Sequence, residues 1–200
     1  MTLSFNQLLA MVGRSVTNPR EGAEEVLALG VPREALWLIL AIVVVLSIVL
    51  AQITVLFAGP STNDLMGGFL QNPLITGFIQ MGLLVVMIVA VHWIGRALGG
   101  RGSFEESMLL MSWLQFIMVC LQALQTLSIL ILPPFAGLIG IAALVLFFWL
   151  LTNFIAVLHG FGSLAQVFIM VLVSGFAIAF LFSLVLTILG VTMPTPNGGI

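Results

Sequence analysis

Charge is what this sequence has least of. Only 6% of its 200 residues are Asp, Glu, Lys or Arg, against 62% hydrophobic, and mean hydropathy is +1.31. A soluble domain carries about 25% charged residues, so nothing here can clothe a water-facing surface. The net charge of −2 and the lack of basic clusters argue against nucleic acid as a partner. Lysine and tyrosine are absent, and all five cations are arginine, a usage that fits a GC-rich bacterial genome. The single cysteine, Cys120, lies inside an apolar run, which excludes an intrachain disulfide framework and a multi-cysteine metal site. Two histidines without a carboxylate cluster beside them predict no metal centre, and no serine has a base and an orienting acid for nucleophilic chemistry. No catalytic residue, no metal and no cofactor is expected.

Long apolar runs are what the chain has instead. A helix needs about 20 apolar residues to cross a bilayer. Five runs qualify: 35–58, 73–98, 107–132, 134–158 and 164–191. The expected fold is therefore all-α, a polytopic integral membrane protein with five transmembrane helices. Residues 1–34 form an amphipathic N-terminal region, 35–191 the five-span domain, and 192–200 a short tail. The first apolar run begins too far into the chain, and is too long, for a signal peptide.

Arginine placement sets the expected orientation. Arg14, Arg20 and Arg33 precede span one, and Arg96 and Arg101 flank the connection between spans two and three. With five spans these positions share one side, while the other side has Asp64 and no cation. The positive-inside bias puts the N-terminus in the cytoplasm and the C-terminus outside, in the periplasm of a bacterial inner membrane. Trp37, Trp93, Trp113 and Trp149 fall in the cytoplasmic halves, as an interfacial belt would.

A repeat organises the apolar region. Leu98-Gly99-Gly100-Arg101-Gly102-Ser103 returns 60 residues later as Leu158-His159-Gly160-Phe161-Gly162-Ser163, and the same offset pairs Pro73 with Pro133 and Gly77 with Gly137. This predicts a duplicated helical hairpin, spans two and three matching spans four and five about a pseudo-twofold axis along the membrane normal. In both copies a Glu or Gln follows the serine by three residues, Ser103 with Glu106 and Ser163 with Gln166. That is capping-box spacing, in which the two side chains satisfy backbone N–H groups left free at a helix start. Gly100, Gly102, Gly160 and Gly162 supply chain reversals, and Arg101 keeps open a contact with a lipid headgroup or partner. Neither copy fits a nucleotide-binding fingerprint.

In the N-terminal region, Ser4 is placed to cap a short helix with Phe5, Leu8, Leu9, Val12 and Val16 on one face. Asn18-Pro19 opens a second helix, with asparagine as the cap and Glu21, Glu24 and Glu25 following. The pair can lie on the inner leaflet or dock a protein.

Span three carries a polar face, Ser112, Gln115, Gln122 and Thr126, with Gln125 beside it. Polar groups in hydrocarbon need partners, so this face is expected against other helices, with Gln52, Gln80, Thr152 and Asn153 as candidates. It serves either as interhelical glue or as the path of a small neutral solute; no charged group lines it, which argues against ion-coupled transport. His92 is expected to hydrogen-bond a neighbouring helix, and His159 to stand solvated in its loop. The Gly175-x-x-x-Ala179-x-x-x-Ser183 ridge of span five and Ala136-x-x-x-Gly140 of span four are read as packing faces.

With five spans and the segments Asn18-Pro19-Arg20-Glu21 and Gly99-Gly100-Arg101-Gly102-Ser103-Phe104-Glu105-Glu106, the chain resembles the Yip family, Ypt/Rab-GTPase-interacting membrane proteins, in its bacterial branch. That resemblance implies an all-helical bundle. Eukaryotic members organise early secretory membranes, but their Asp-Leu-Tyr-Gly-Pro segment has no counterpart in this tyrosine-free chain, so GTPase binding is not supported. The function expected is a non-catalytic membrane protein that scaffolds partners or shapes membrane, with a passive channel or carrier along the polar face of span three as the alternative. Its expected partners are membrane lipid and an unidentified membrane protein or a second copy.

Overall fold

The computed structural model describes residues 4–58 and 72–188, and helices make up nearly all of them. In chain order these are α1 (Phe5–Thr17), α2 (Pro19–Leu27), α3 (Arg33–Ala58), α4 (Pro73–Ala97), α5 (Phe104–Ile131), α6 (Pro133–His159) and α7 (Leu164–Ile188). The last five are long and apolar enough to cross a membrane. At 1.5 Å per residue their 25–28 residues reach about 37–42 Å, against a hydrocarbon thickness of about 30 Å. The protein is a multi-pass membrane protein. Asp64 and the expected tail 192–200 lie outside the described residues.

Both α4 and α6 open on proline, Pro73 and Pro133, where the missing N–H costs nothing because the first turn has no intrahelical acceptor for it. The 60-residue offset thus recurs in the helix starts, 73 with 133 and 104 with 164. α5 is the central helix, packed against α3, α4 and α6, while α7 packs along α6 and has Val167 as its buried side chain among the described residues.

The packed core is displaced toward the end that carries the arginines. Leu36 and Leu40 of α3, Ile88 of α4, Leu110 and Ile117 of α5, and Phe154 of α6 are all fully buried there. At the opposite end, α6 turns Phe135, Leu138, Ile141 and Val145 outward. An apolar groove of about 600 Å3 runs there between Leu124, Leu127 and Ile131 of α5 and Phe135, Leu138 and Ala142 of α6.

The N-terminal helices are docked on the arginine end. α2 buries Pro19, Gly22, Ala23 and Val26 and packs against α1, α5 and α6. α1 crosses α2 so closely that a Cβ on Gly22 would stand 2.6 Å from Ser15 Cα, a separation a folded chain does not tolerate. The expected apolar face of α1 is corrected in detail: Met11 and Ser15 are its buried centre, Leu8, Val12 and Val16 flank them, and Phe5 and Leu9 stay 70% and 45% exposed. The Ser4 cap is a full capping box, with Gln7 N–H on Ser4 Oγ at 3.3 Å and Ser4 N–H on Gln7 Oε1 at 2.8 Å. Asn18 makes no side-chain cap bond to α2, contrary to expectation. It is shared between two helices, and its own N–H closes α1 on the Arg14 carbonyl at 2.7 Å.

Candidate functional site

Both repeated turns begin by stopping a helix with a glycine in the left-handed region, open at no steric cost to a residue without Cβ. Gly99 has φ +91° and Gly160 φ +72°. In each, the next residue reaches back five positions, Gly100 N–H to Gly95 O and Phe161 N–H to Ala156 O, both at 2.9 Å. The structural partner of Gly160 is therefore Gly99, an offset of 61 rather than 60. Four positions separate Gly99 from Ser103, but three separate Gly160 from Ser163. The two turns share chemistry at both ends and differ by one residue between them.

The caps also differ. Ser103 and Glu106 complete the box, with Glu106 N–H on Ser103 Oγ at 3.1 Å and Ser103 N–H on Glu106 Oε2 at 2.7 Å. At the second turn the forward bond is made, Gln166 N–H to Ser163 Oγ at 3.4 Å. Gly162 is exposed and a Cβ there would meet nothing.

His159 packs against the first turn. It is 2% exposed, not solvated as the sequence suggested, and it fills the space beneath the α4–α5 turn. Its Nε2 lies 3.1 Å from the Val91 carbonyl, and Gly102 N–H donates to its Nδ1 at 3.3 Å. A carbonyl can only accept, so Nε2 carries the proton and the ring is neutral. A Cβ at Gly95 or Gly100 would overlap the imidazole, and one at Gly102 would stand 2.6 Å from Leu158 Cγ. Glycine is required at these three positions because the end of α6 occupies the room. Phe161 packs against the ring, centroids 5.6 Å apart. Sequence reading missed this contact, although four glycines within residues 95–102, three of them against the end of α6, were its visible trace.

His92 does not make the interhelical bond predicted for it. Its ring meets Phe104 edge-on at 5.8 Å, and its Nδ1 is buried without a hydrogen-bond partner.

The polar face of α5 divides in two. Ser47 of α3 is the hub of its deeper half: Ser47 O–H donates to Gln122 Oε1 at 3.2 Å, Gln122 Nε2 donates to the Ser47 carbonyl at 3.0 Å, and Gln80 Nε2 of α4 donates to Ser47 Oγ at 2.9 Å. Thr126 meets Thr54 of α3 hydroxyl to hydroxyl at 2.7 Å. Gln125 turns to α6, its Nε2 on the Ala136 carbonyl at 3.2 Å. The Ser112 hydroxyl is fully buried without a partner, and Gln115 is half-buried. Of the expected partners Gln80 takes part. Gln52 is exposed, and Thr152 and Asn153 bond carbonyls of their own helix, Phe148 and Trp149.

Trp113 ties the N-terminal layer to the bundle. It is buried, and its indole N–H donates to Ser15 Oγ of α1 at 2.9 Å. Arg14 and Glu25 pair across α1 and α2, Nε to Oε2 3.0 Å, and Arg33 approaches Glu105 at 3.8 Å. The outer side of α2, with Arg20, Glu21 and Glu24, remains exposed. Among the described residues no group of three His, Cys, Asp or Glu is placed to hold a metal ion.

The model of the Yip1 domain matches residues 13–187, from the middle of α1 to the end of α7. The chain belongs to the Yip1 domain family. Comparison with curated proteins and with solved structures returned no match. The Yip1 match takes in α2, the His159-filled turn and the Ser47 hub as parts of one domain, and leaves the first two turns of α1 outside it.

Proposed function

We propose that this Yip1-domain protein is a non-catalytic scaffold of a bacterial inner membrane, holding a protein partner on the outer side of α2. The observation that carries this reading is the mounting of α2. Its back is buried through Gly22, Ala23 and Val26, and its front presents Arg20, Glu21 and Glu24 to solvent. A short helix fixed in this way offers a charged surface already in position, so a partner meets little ordering cost. Glu21 and Glu24 would be repelled by anionic headgroups, which favours protein over lipid on this side.

Arginine distribution supports placing this end in the cytoplasm. Gln122 and Thr126 bond Ser47 and Thr54, which favours interhelical glue over a conduit along that half of the face.

Charge reversal tests the scaffold. The double variant Glu21→Lys/Glu24→Lys leaves the buried back of α2 untouched, so it should fold and lose its partner in affinity capture from native membranes. Undiminished capture of the same partner would refute the assignment.

A further inference from the structure

We infer that the first two turns of α1 are an in-plane membrane anchor, with Phe5 and Leu9 inserted between lipid headgroups at the rim of the bundle. Phe5, Leu9, Val12 and Val16 fall on one face of α1 at spacings of four, three and four residues. Val12 and Val16 pack against the core cluster, while Phe5 and Leu9 on the same face are exposed. The apolar surface therefore continues an interface already in use and runs on where the bundle stops. Asn6, Gln7 and Arg14 are exposed on other sides of α1, so the helix has a water side and an apolar side.

Three further observations choose lipid as the occupant. α1 lies at the end of the bundle that bears Arg33, Arg96 and Arg101 with the exposed Trp37 and Trp93, residue types that gather at the headgroup level. α1 has no carboxylate, and its one charge, Arg14, is paired with Glu25, so no like charge opposes an anionic surface. An aromatic and a leucine on the apolar side of a short amphipathic helix are the residues that settle at the boundary between headgroups and chains. This anchor precedes the residues matched by the Yip1 domain.

Depth-dependent quenching tests it. Leu9→Cys and Gln7→Cys are each made on Cys120→Ser, labelled with the environment-sensitive fluorophore NBD, and placed one copy per phosphatidylcholine nanodisc. Position 9 should emit to the blue of position 7 and be quenched several-fold more by phosphatidylcholine bearing a shallow nitroxide. Equal, water-like emission at both positions would overturn the anchor. Blue-shifted emission at position 9 without nitroxide quenching would overturn it too, because protein would then cover the face. Should the Cys120→Ser background fail to fold, a benzophenone amino acid replacing Leu9 in the otherwise unaltered chain tests the same contact. Lipid adducts by mass spectrometry are expected there and not at Gln7, and their absence at position 9 would contradict the inference.

Discussion

His159, at the end of one hairpin, is hydrogen-bonded to Val91 of the other, Nε2–H to carbonyl at 3.1 Å. With Gly102 N–H on Nδ1, the ring fastens the last turn of α6 beneath the α4–α5 connection. The duplicated hairpins are thus interlocked where one repeat contributes a side chain and the other contributes space.

Replacing His159 with alanine removes both bonds, leaves Gly102 N–H unpaired and opens a cavity. The expected loss is about 2–4 kcal/mol, from the unsatisfied donor and the lost packing together. Gly95→Ala should destabilise through overlap with the ring, and much less so in the His159→Ala background, since the space is then free. Gly162→Ala, in open surroundings, serves as the unaffected control. Thermal unfolding in detergent reads all four. An additive double mutant would disprove the contact.

Trp113→Phe tests how α1 is held. The phenyl ring is smaller than the indole, and Ser15 Oγ loses its donor in a site with no exposure. A cost of about 1–3 kcal/mol is expected for the stranded hydroxyl. Because α1 and α2 dock as a layer, the loss should show as faster proteolysis within residues 5–30 before the spans unfold. Uniform protection across the chain would argue that this bond contributes little.

Ser47→Ala is predicted to destabilise the bundle more than Gln80→Leu, because Ser47 serves two glutamines and Gln80 one contact. Interhelical polar bonds in membranes are worth about 0.6 kcal/mol on average, so these are differences of a few tenths to about 1 kcal/mol, read in a urea or detergent titration. Gln122→Leu should leave glycerol or urea flux into proteoliposomes unchanged. Reduced flux in that variant would restore the conduit reading.

Five spans were legible from hydropathy alone, because a lipid environment leaves the backbone no choice but to coil through each apolar run. Their ends moved by a few residues: Pro73 marked the start of α4 correctly, while α6 begins at Pro133, one residue before the expected 134. The capping serines were also legible, since their spacing is a local property of the helix start. What the sequence hid is what depends on a partner. Ser47 and Thr54 are small polar residues in an otherwise apolar helix, and nothing local says which way they point. His159 looked solvated beside glycines that imply a loop, although those glycines on the facing turn were what made its burial possible. The helical wheel of α1 rightly grouped Phe5 and Leu9 with Val12 and Val16, but only the position of α2 decides that support begins at Leu8 and Met11.

The most direct test of the scaffold is photo-crosslinking in native membranes from a benzophenone amino acid replacing Glu24, on the exposed front of α2. The account predicts one discrete protein adduct of reproducible mass, lost when Glu21→Lys is added. Lipid adducts alone, or a protein adduct indifferent to that reversal, would contradict it.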